Sequence, residues 1–418
     1  MTQTINQPIQ PKERIIALDF LRGFALLGIL LMNIQSFAMP FAAYFNPTAF
    51  GDLTGINLGV WTFSHIFADS KFMTIFSILY GAGIILITQK AEEKGARPGR
   101  LHYSRTFWLL VIGLFHAYIL WYGDILVLYA TIAFVVFLFR KLSSRWLLIW
   151  GIVTLVIGSL ITFGLGASYS FYPPEVQADF ITAWSPSDAV LAEEVATYQS
   201  GWLQQMGHRA AKSLDTQTAG FFFWGLWRAG GLMLMGMGLF KMGVLTAQRS
   251  KIFYRNMLLI GFAVGLPLII IGLVTNFNSG WSLEYARFAG SLFNYWGSIG
   301  VSLTYIAAVM LIAQSGWGSA IVARFAAVGR TALSNYLLQT ILSILVFYGF
   351  GLGLFGQVER FGQLLVVLGI WTIQLIVSPI WLRYYRFGPV EWLWRSLTYG
   401  KAQSMRVKPA SIRAATQS

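Results

Sequence analysis

IIALDFLRGFALLGILLMNIQSFAM, residues 15–39, is the stretch from which the fold is read. It is apolar and long enough to cross a bilayer, which takes about 20 helical residues. Yet it carries Asp19, Arg22 and Asn33. A charge in hydrocarbon costs about 2.5–3.5 kcal/mol on insertion scales, so such residues turn toward the protein interior. Asp19 and Arg22 are three apart on one helical face, where they neutralise each other. Arg22 and Asn33 are eleven apart, close to three full turns or about 16 Å of rise, so both point the same way. One helix thus aims a cation and an amide at an interior stripe, at two depths.

The rest of the chain fits this reading. Its 418 residues are 56% hydrophobic and 11% charged, with a mean hydropathy of +0.62. Soluble domains carry about 25% charge, so the expected class is all-α, a polytopic transmembrane bundle. The apolar runs are continuous rather than alternating, which excludes an outer-membrane barrel. There is no cysteine, hence no disulfide and no thiolate metal site. His65, His102, His116 and His208 form no ligand-spaced cluster, so no metal is expected. The polar start, residues 1–14, lacks a cleavage-site pattern and reads as a cytoplasmic tail ahead of a retained span. The net charge of +14 is spread over short loops, which excludes a nucleic-acid partner and points to the lipid bilayer.

Ten spans are expected within a bundle covering 15–385: 15–39, 62–89, 106–121, 125–139, 146–166, 221–245, 253–276, 291–313, 331–351 and 364–385. The third and fourth are short and read as a hairpin turning at Tyr122-Gly-Asp124. Lys12, Arg14, Lys90, Arg100, Arg140, Arg249, Arg330 and the basic tail then share one side, which is cytoplasmic, with both termini inside. The longest opposite segment, 167–220, is acidic and holds Trp184, Tyr198 and Trp202; it is either a lid or acceptor platform, or a solvated cap. The C-terminal tail, 386–418, contains a Trp- and Arg-bearing amphipathic helix for the inner interface, with Pro389 in its first turn.

Further polar residues interrupt the spans. Asp69 and Lys71 are two apart, too close to face one another on a helix, so each needs a partner elsewhere. His65 lies one turn from Asp69 and is either an ordinary wet residue or a base oriented by that carboxylate. His116 sits mid-span, as a satisfied core histidine or as a proton carrier. Asp124 either caps the next helix or orients His116. Arg228 either snorkels outward or holds an anionic group inside. Asn335 and Gln339 present amides one turn apart, the usual pattern of interhelical hydrogen bonding.

The blocks LDFLRGFALLGILLMN (18–33), DSKFMTIFSILYGAG (69–83), GLFHAYILWYGDILVLYA (113–130), TALSNYLLQT (331–340) and RYYRFGPVEWLWRSLTYG (383–400) resemble the YeiB family of bacterial inner-membrane proteins. The match runs in order along nearly the whole chain. The first span also resembles that of the transmembrane acyltransferases, including heparan-glucosamine acetyltransferase and the acyltransferase-3 proteins. The shared element is an Arg followed eleven residues later by Asn or His, here Arg22 and Asn33. The resemblance implies a multi-pass inner-membrane acyltransferase. It would move an acyl group, most simply acetyl, from cytoplasmic acyl-CoA to an extracytoplasmic hydroxyl or amine. Arg22 and Asn33 would hold donor or acceptor, with Asp19, Lys71, Arg228, Asn335 and Gln339 lining the substrate path. His116 would be the base, with His65 as the other candidate and Asp124 or Asp69 orienting it; acyltransferase-3 proteins have His where Asn33 stands. The rival expectation is a transporter or flippase using Asp19, Arg22, Asp69 and Lys71 as a coupled path. Oligomeric state is open, a homodimer among the options.

Overall fold

The computed structural model describes residues 15–407, an all-α bundle with no strand among them beyond one isolated bridge, Tyr385 to Arg406. In chain order the helices are α1 (Ile16–Ala38), α2 (Ala42–Phe45), α3 (Gly55–Phe67), α4 (Lys71–Glu93) and α5 (Pro98–Phe115). There follow α6 (Leu126–Val136), α7 (Ser144–Ser168), α8 (Pro174–Trp184), α9 (Asp188–Gln199), α10 (Met206–Asp215) and α11 (Leu226–Lys241). The last six are α12 (Lys251–Asn278), α13 (Ala289–Ser315), α14 (Ser319–Arg330), α15 (Ala332–Phe347), α16 (Arg360–Tyr384) and α17 (Pro389–Tyr399). Wider π turns extend α5 through His116–Leu120 and join α10 to α11 through Thr216–Gly225.

Seven helical stretches are long and apolar enough to cross a membrane: Ile16–Ala38, Gly55–Glu93, Pro98–Leu120, Ser144–Phe171, Lys251–Asn278, Leu283–Ser315 and Arg360–Tyr384. The molecule is a multi-pass membrane protein. Of the other three expected spans, 331–351 falls on the shorter apolar helix α15, while 125–139 and 221–245 fall on α6 and α11. The second expected span is not one helix. α3 and α4 are separated at Ala68–Ser70, where Ser70 takes the left-handed conformation (φ 63°) that non-glycine residues seldom adopt. Lys12, Arg14 and the last residues of the basic tail lie outside the described residues.

Burial separates inner from outer helices. The apolar window of α1 is 67% buried, against 22% for those of α7 and α16. The inner helices meet backbone to backbone, as lipid-embedded helices do when small residues line the contact. A methyl at Gly23 of α1 would lie 1.9 Å from the Phe325 carbonyl oxygen of α14, and one at Gly329 of α14 would lie 1.9 Å from the Asp19 carbonyl oxygen. Only glycine fits at either place. Gly81 and Gly236 join α4 to α11 in the same manner.

The segment expected as a long outer loop is helical and packed. α8, α9 and α10 fold over one end of the bundle, with Trp184 and Tyr198 buried. Trp184 donates to the Trp281 carbonyl, Trp202 to that of Ile119, and Ser213 to that of Ala117. At the other end, α17 begins with Pro389 as expected, but it docks on the bundle as well as presenting Leu393 outward. Trp394 donates to the Arg105 carbonyl and lies 4.0 Å under its guanidinium. The buried Glu391 carboxylate receives the Leu333 and Ser334 amides and the Ser334 hydroxyl, closing the start of α15.

Candidate functional site

Asp124, His116 and Thr340 form one hydrogen-bonded line. His116 sits where α5 widens into its π turn and is fully buried. Its Nδ1 is 2.7 Å from Asp124 Oδ2 and its Nε2 is 2.9 Å from Thr340 Oγ1. The other carboxylate oxygen, Oδ1, accepts the Val127 amide at 2.7 Å at the start of α6. Asp124 therefore caps a helix and orients the imidazole at once. With the carboxylate accepting at Nδ1, that nitrogen carries the proton and Nε2 offers its lone pair to the Thr340 hydroxyl. Thr340 has a second acceptor, the Tyr336 carbonyl at 3.5 Å, to which its hydroxyl can swing and free Nε2. Tyr336 and Trp121 pack around the ring.

A second polar centre lies among α3, α4, α11 and α13. His65 Nδ1 is 3.2 Å from Asp69 Oδ2, and Trp61 stacks on the imidazole. Asp69 accepts Asn294 Nδ2 at 2.8 Å, and the same amide accepts Lys71 Nζ through Oδ1 at 2.7 Å. The two charges that cannot face each other along a helix thus meet on one side chain of α13. Arg228 does not snorkel. It is fully buried and donates to Thr74, Ser298 and the Tyr295 carbonyl.

The amides of α15 act as interhelical fasteners. Asn335 donates to Ser378, Gln339 donates to Gln374 and to the Leu26 carbonyl, and Gln374 donates back to the Asn335 carbonyl.

The structure does not gather Arg22, Asn33 and His116 on shared partners. Arg22 bonds Asp19 at 2.8 Å and the Gly329 carbonyl at 3.4 Å, near the start of α1. Asn33, half-buried, makes no side-chain hydrogen bond among the described residues. Arg22 instead lies within electrostatic reach of Arg105, and Arg330 within reach of Asp19, so three arginines gather at that end of the bundle. Sequence reading missed Thr340, Asn294, Gln374 and Glu391. Only Glu391, an isolated acid in a basic tail, carried a signal; the others are ordinary polar residues whose partners lie far away in the chain.

This architecture, a multi-pass all-α membrane bundle with buried polar centres between its helices, is the class that fold and site define. The chain belongs to the YeiB family. It is 32% identical over 397 residues to the protein titled "Uncharacterized protein YeiB" of Escherichia coli (strain K12), covering 92% of this chain and 96% of that one. It is 28% identical over 407 residues to YxaH of Bacillus subtilis (strain 168), covering 94% and 96%. Residues 239–401 match the family described as "Protein of unknown function (DUF418)".

Proposed function

We propose that this protein is a transmembrane acyltransferase of the bacterial inner membrane, with both termini cytoplasmic. It moves an acyl group from cytoplasmic acyl-CoA to an extracytoplasmic hydroxyl or amine. The observation that carries the reading is the Asp124–His116–Thr340 line: a base oriented by a carboxylate and already accepting from a hydroxyl. In the reaction, Thr340 turns toward the Tyr336 carbonyl and the acceptor takes its place at Nε2. The acceptor oxygen attacks the thioester carbonyl and its proton passes to Nε2. The carbon–sulfur bond breaks, and the imidazolium returns the proton to the leaving CoA thiolate. Asp124 stabilises the imidazolium between these steps.

Arg22, Arg105 and Arg330 support donor entry at the opposite end, where guanidinium groups suit phosphate. Arg105 and His116 are eleven residues apart on one helix, about 16 Å, a distance that an extended thiol arm spans.

The test is turnover by purified protein given labelled acetyl-CoA and a panel of glycan and amine acceptors. Acylated product and free CoA are expected, and both disappear in His116→Ala. The absence of both CoA binding and product with every acceptor overturns the reading. The buried Lys71–Asn294–Asp69–His65 chain favours one alternative, a coupled transporter, which predicts substrate counterflow in proteoliposomes without acyl-CoA.

A further inference from the structure

His116 stands in a turn that the helix alone does not hold. His116–Leu120 wind as a π turn, a wide geometry that is rare and gathers at functional sites. The chain leaves it at Trp121, whose amide closes back on the His116 carbonyl. No further turn of helix follows to use the carbonyls of Ala117 and Ile119. The cap takes them instead. Ser213 Oγ donates to the Ala117 carbonyl at 2.8 Å, and Trp202 Nε1 donates to the Ile119 carbonyl at 3.1 Å. Between them, the Tyr118 hydroxyl donates to Gln217 Oε1 at 3.2 Å. Ala117, Tyr118 and Ile119 are thus all held from one side by residues 202–217. Trp202 is itself fixed from behind: Arg209 donates to its carbonyl at 3.2 Å and lies 5.2 Å over its indole.

The same cap grips the far side of the base. Thr340, the partner of His116 Nε2, sits on α15, and the chain leaves α15 at Tyr348 and Gly349. The Gly349 amide donates to the Tyr198 carbonyl at 2.9 Å, and any side chain at Gly349 would run into the Gln199 carbonyl. Gln199 Nε2 donates in turn to the Phe355 carbonyl at 2.8 Å. Gln205, fully buried, joins α9 to α10 by donating to the Tyr198 and Ser200 carbonyls at 2.9 and 2.8 Å. The Tyr198 carbonyl therefore receives both α15 and α10. One continuous run of cap residues spans from the turn that carries His116 to the exit of the helix that carries Thr340.

We infer that Trp202 and Ser213 are positioning residues for the base: the cap imposes the π turn and so sets where the His116 ring lies between Asp124 and α15. Neither residue reaches the reacting atoms; both act through the backbone carbonyls of the turn. Without them the turn relaxes, and the ring leaves the line that Asp124 and Thr340 define. The inference rests on the acyl-transfer reading for what His116 does, and on the hydrogen bonds alone for what the cap does to it.

The experiment pairs hydrogen exchange, read by mass spectrometry on the full-length protein in detergent, with steady-state turnover of labelled acetyl-CoA. Ser213→Ala removes one tie. Trp202→Phe removes the other while keeping a ring under Arg209, and it carries the test should Ser213→Ala fold poorly. Thr218→Ala is the control, since that exposed hydroxyl bonds only within its own segment, to the Leu214 and Asp215 carbonyls. In each tie variant, exchange at the amides of 117–121 should rise about tenfold, the loss of one hydrogen bond, with α1 and α13 exchanging as in the parent. The kcat should fall about ten- to hundredfold, the scale of a misplaced catalytic group, with the KM for acyl-CoA unchanged. Thr218→Ala should alter neither. Parent-like exchange at 117–121 in both tie variants overturns the inference, whatever the activity. Faster exchange with parent kcat also overturns it, and leaves acyl transfer standing. A parent without turnover removes the acyl-transfer reading instead, and the exchange arm then decides alone whether the cap holds the turn.

Discussion

Lys71 and Asn294, 223 residues apart in sequence, are joined by a 2.7 Å hydrogen bond that rests a fully buried ammonium on a neutral amide. The other end of that amide donates to Asp69, so Asn294 insulates the two charges while satisfying both. Asn294→Leu removes the partner they share, leaving Lys71 on the His65 carbonyl and Asp69 on His65 and Ser70. It should cost about 1–3 kcal/mol, the scale of buried polar groups left short of a partner. Adding Lys71→Met should recover part of the loss. Thermal unfolding in detergent measures both; additive losses in the double variant would contradict this pairing.

Asp124→Asn should lower turnover by about 10²–10⁴-fold, the usual contribution of a positioned acid–base group, with little change in the KM for acyl-CoA. Thr340→Val should keep turnover within a few-fold, because the mechanism uses Thr340 only to hold the Nε2 lone pair until the acceptor arrives. A Thr340→Val enzyme as inactive as His116→Ala would mean that the hydroxyl itself takes part.

Gly23→Ala should disrupt the seating of α1 on α14. The added methyl meets a backbone carbonyl at 1.9 Å, which no rotamer relieves. Overpacking of this kind costs about 1–3 kcal/mol and more where backbone must move. Gly83→Ala is the control, since nothing lies within 4 Å of the added carbon. Detergent-extracted yield and melting temperature should separate the two variants.

Glu391 gives a pH signature. Burial raises its carboxyl above the ordinary carboxylate range, outweighing the hydrogen bonds from Ser334 and Leu333 that pull the other way. A group that binds its proton more tightly when folded contributes stability fully below its unfolded pKa, about 4.3. That contribution is lost as pH rises through the raised folded value. The parent should therefore lose stability relative to Glu391→Gln across that rise, followed by melting temperature against pH. An opposite slope would place the carboxylate in a wetter setting than α17 provides.

The chain has no native cysteine, so single cysteines report topology directly. Glu93→Cys and Asp188→Cys are both at exposed positions. With both termini inside, a membrane-impermeant maleimide should label Asp188→Cys in intact cells and Glu93→Cys only after lysis. Labelling of both, or of neither, before lysis would refute the proposed orientation.

Much of the architecture was legible because lipid imposes a simple code. Continuous apolar runs located the long helices, and Pro389 marked the start of α17. The pairings that lie close in sequence were legible too: Asp19 with Arg22, His65 with Asp69, and His116 with Asp124. What the chain does not reveal is which distant residue completes each pair. Asn294, Thr340 and Gln374 are set by how helices rotate against one another, and nothing in their neighbours' spacing records that. The helical rise put Arg22 and Asn33 on one face, but it could not foresee that the Gly23–Gly329 approach brings Arg22 to the backbone of α14. The break at Ser70 was invisible for a related reason. Its left-handed backbone follows from packing, and serine gives no local warning of it.

The contrast between inner and outer helices bears on engineering. α12, the most apolar at mean hydropathy 2.7, is only 28% buried in its window, whereas α1 reaches 67% at 1.7. Greasiness here therefore faces the fatty acyl chains, while the interior is held by touching backbones and shared amides. A water-soluble redesign would rewrite the outward faces of α7, α12 and α16 and leave α1, α4 and α13 untouched.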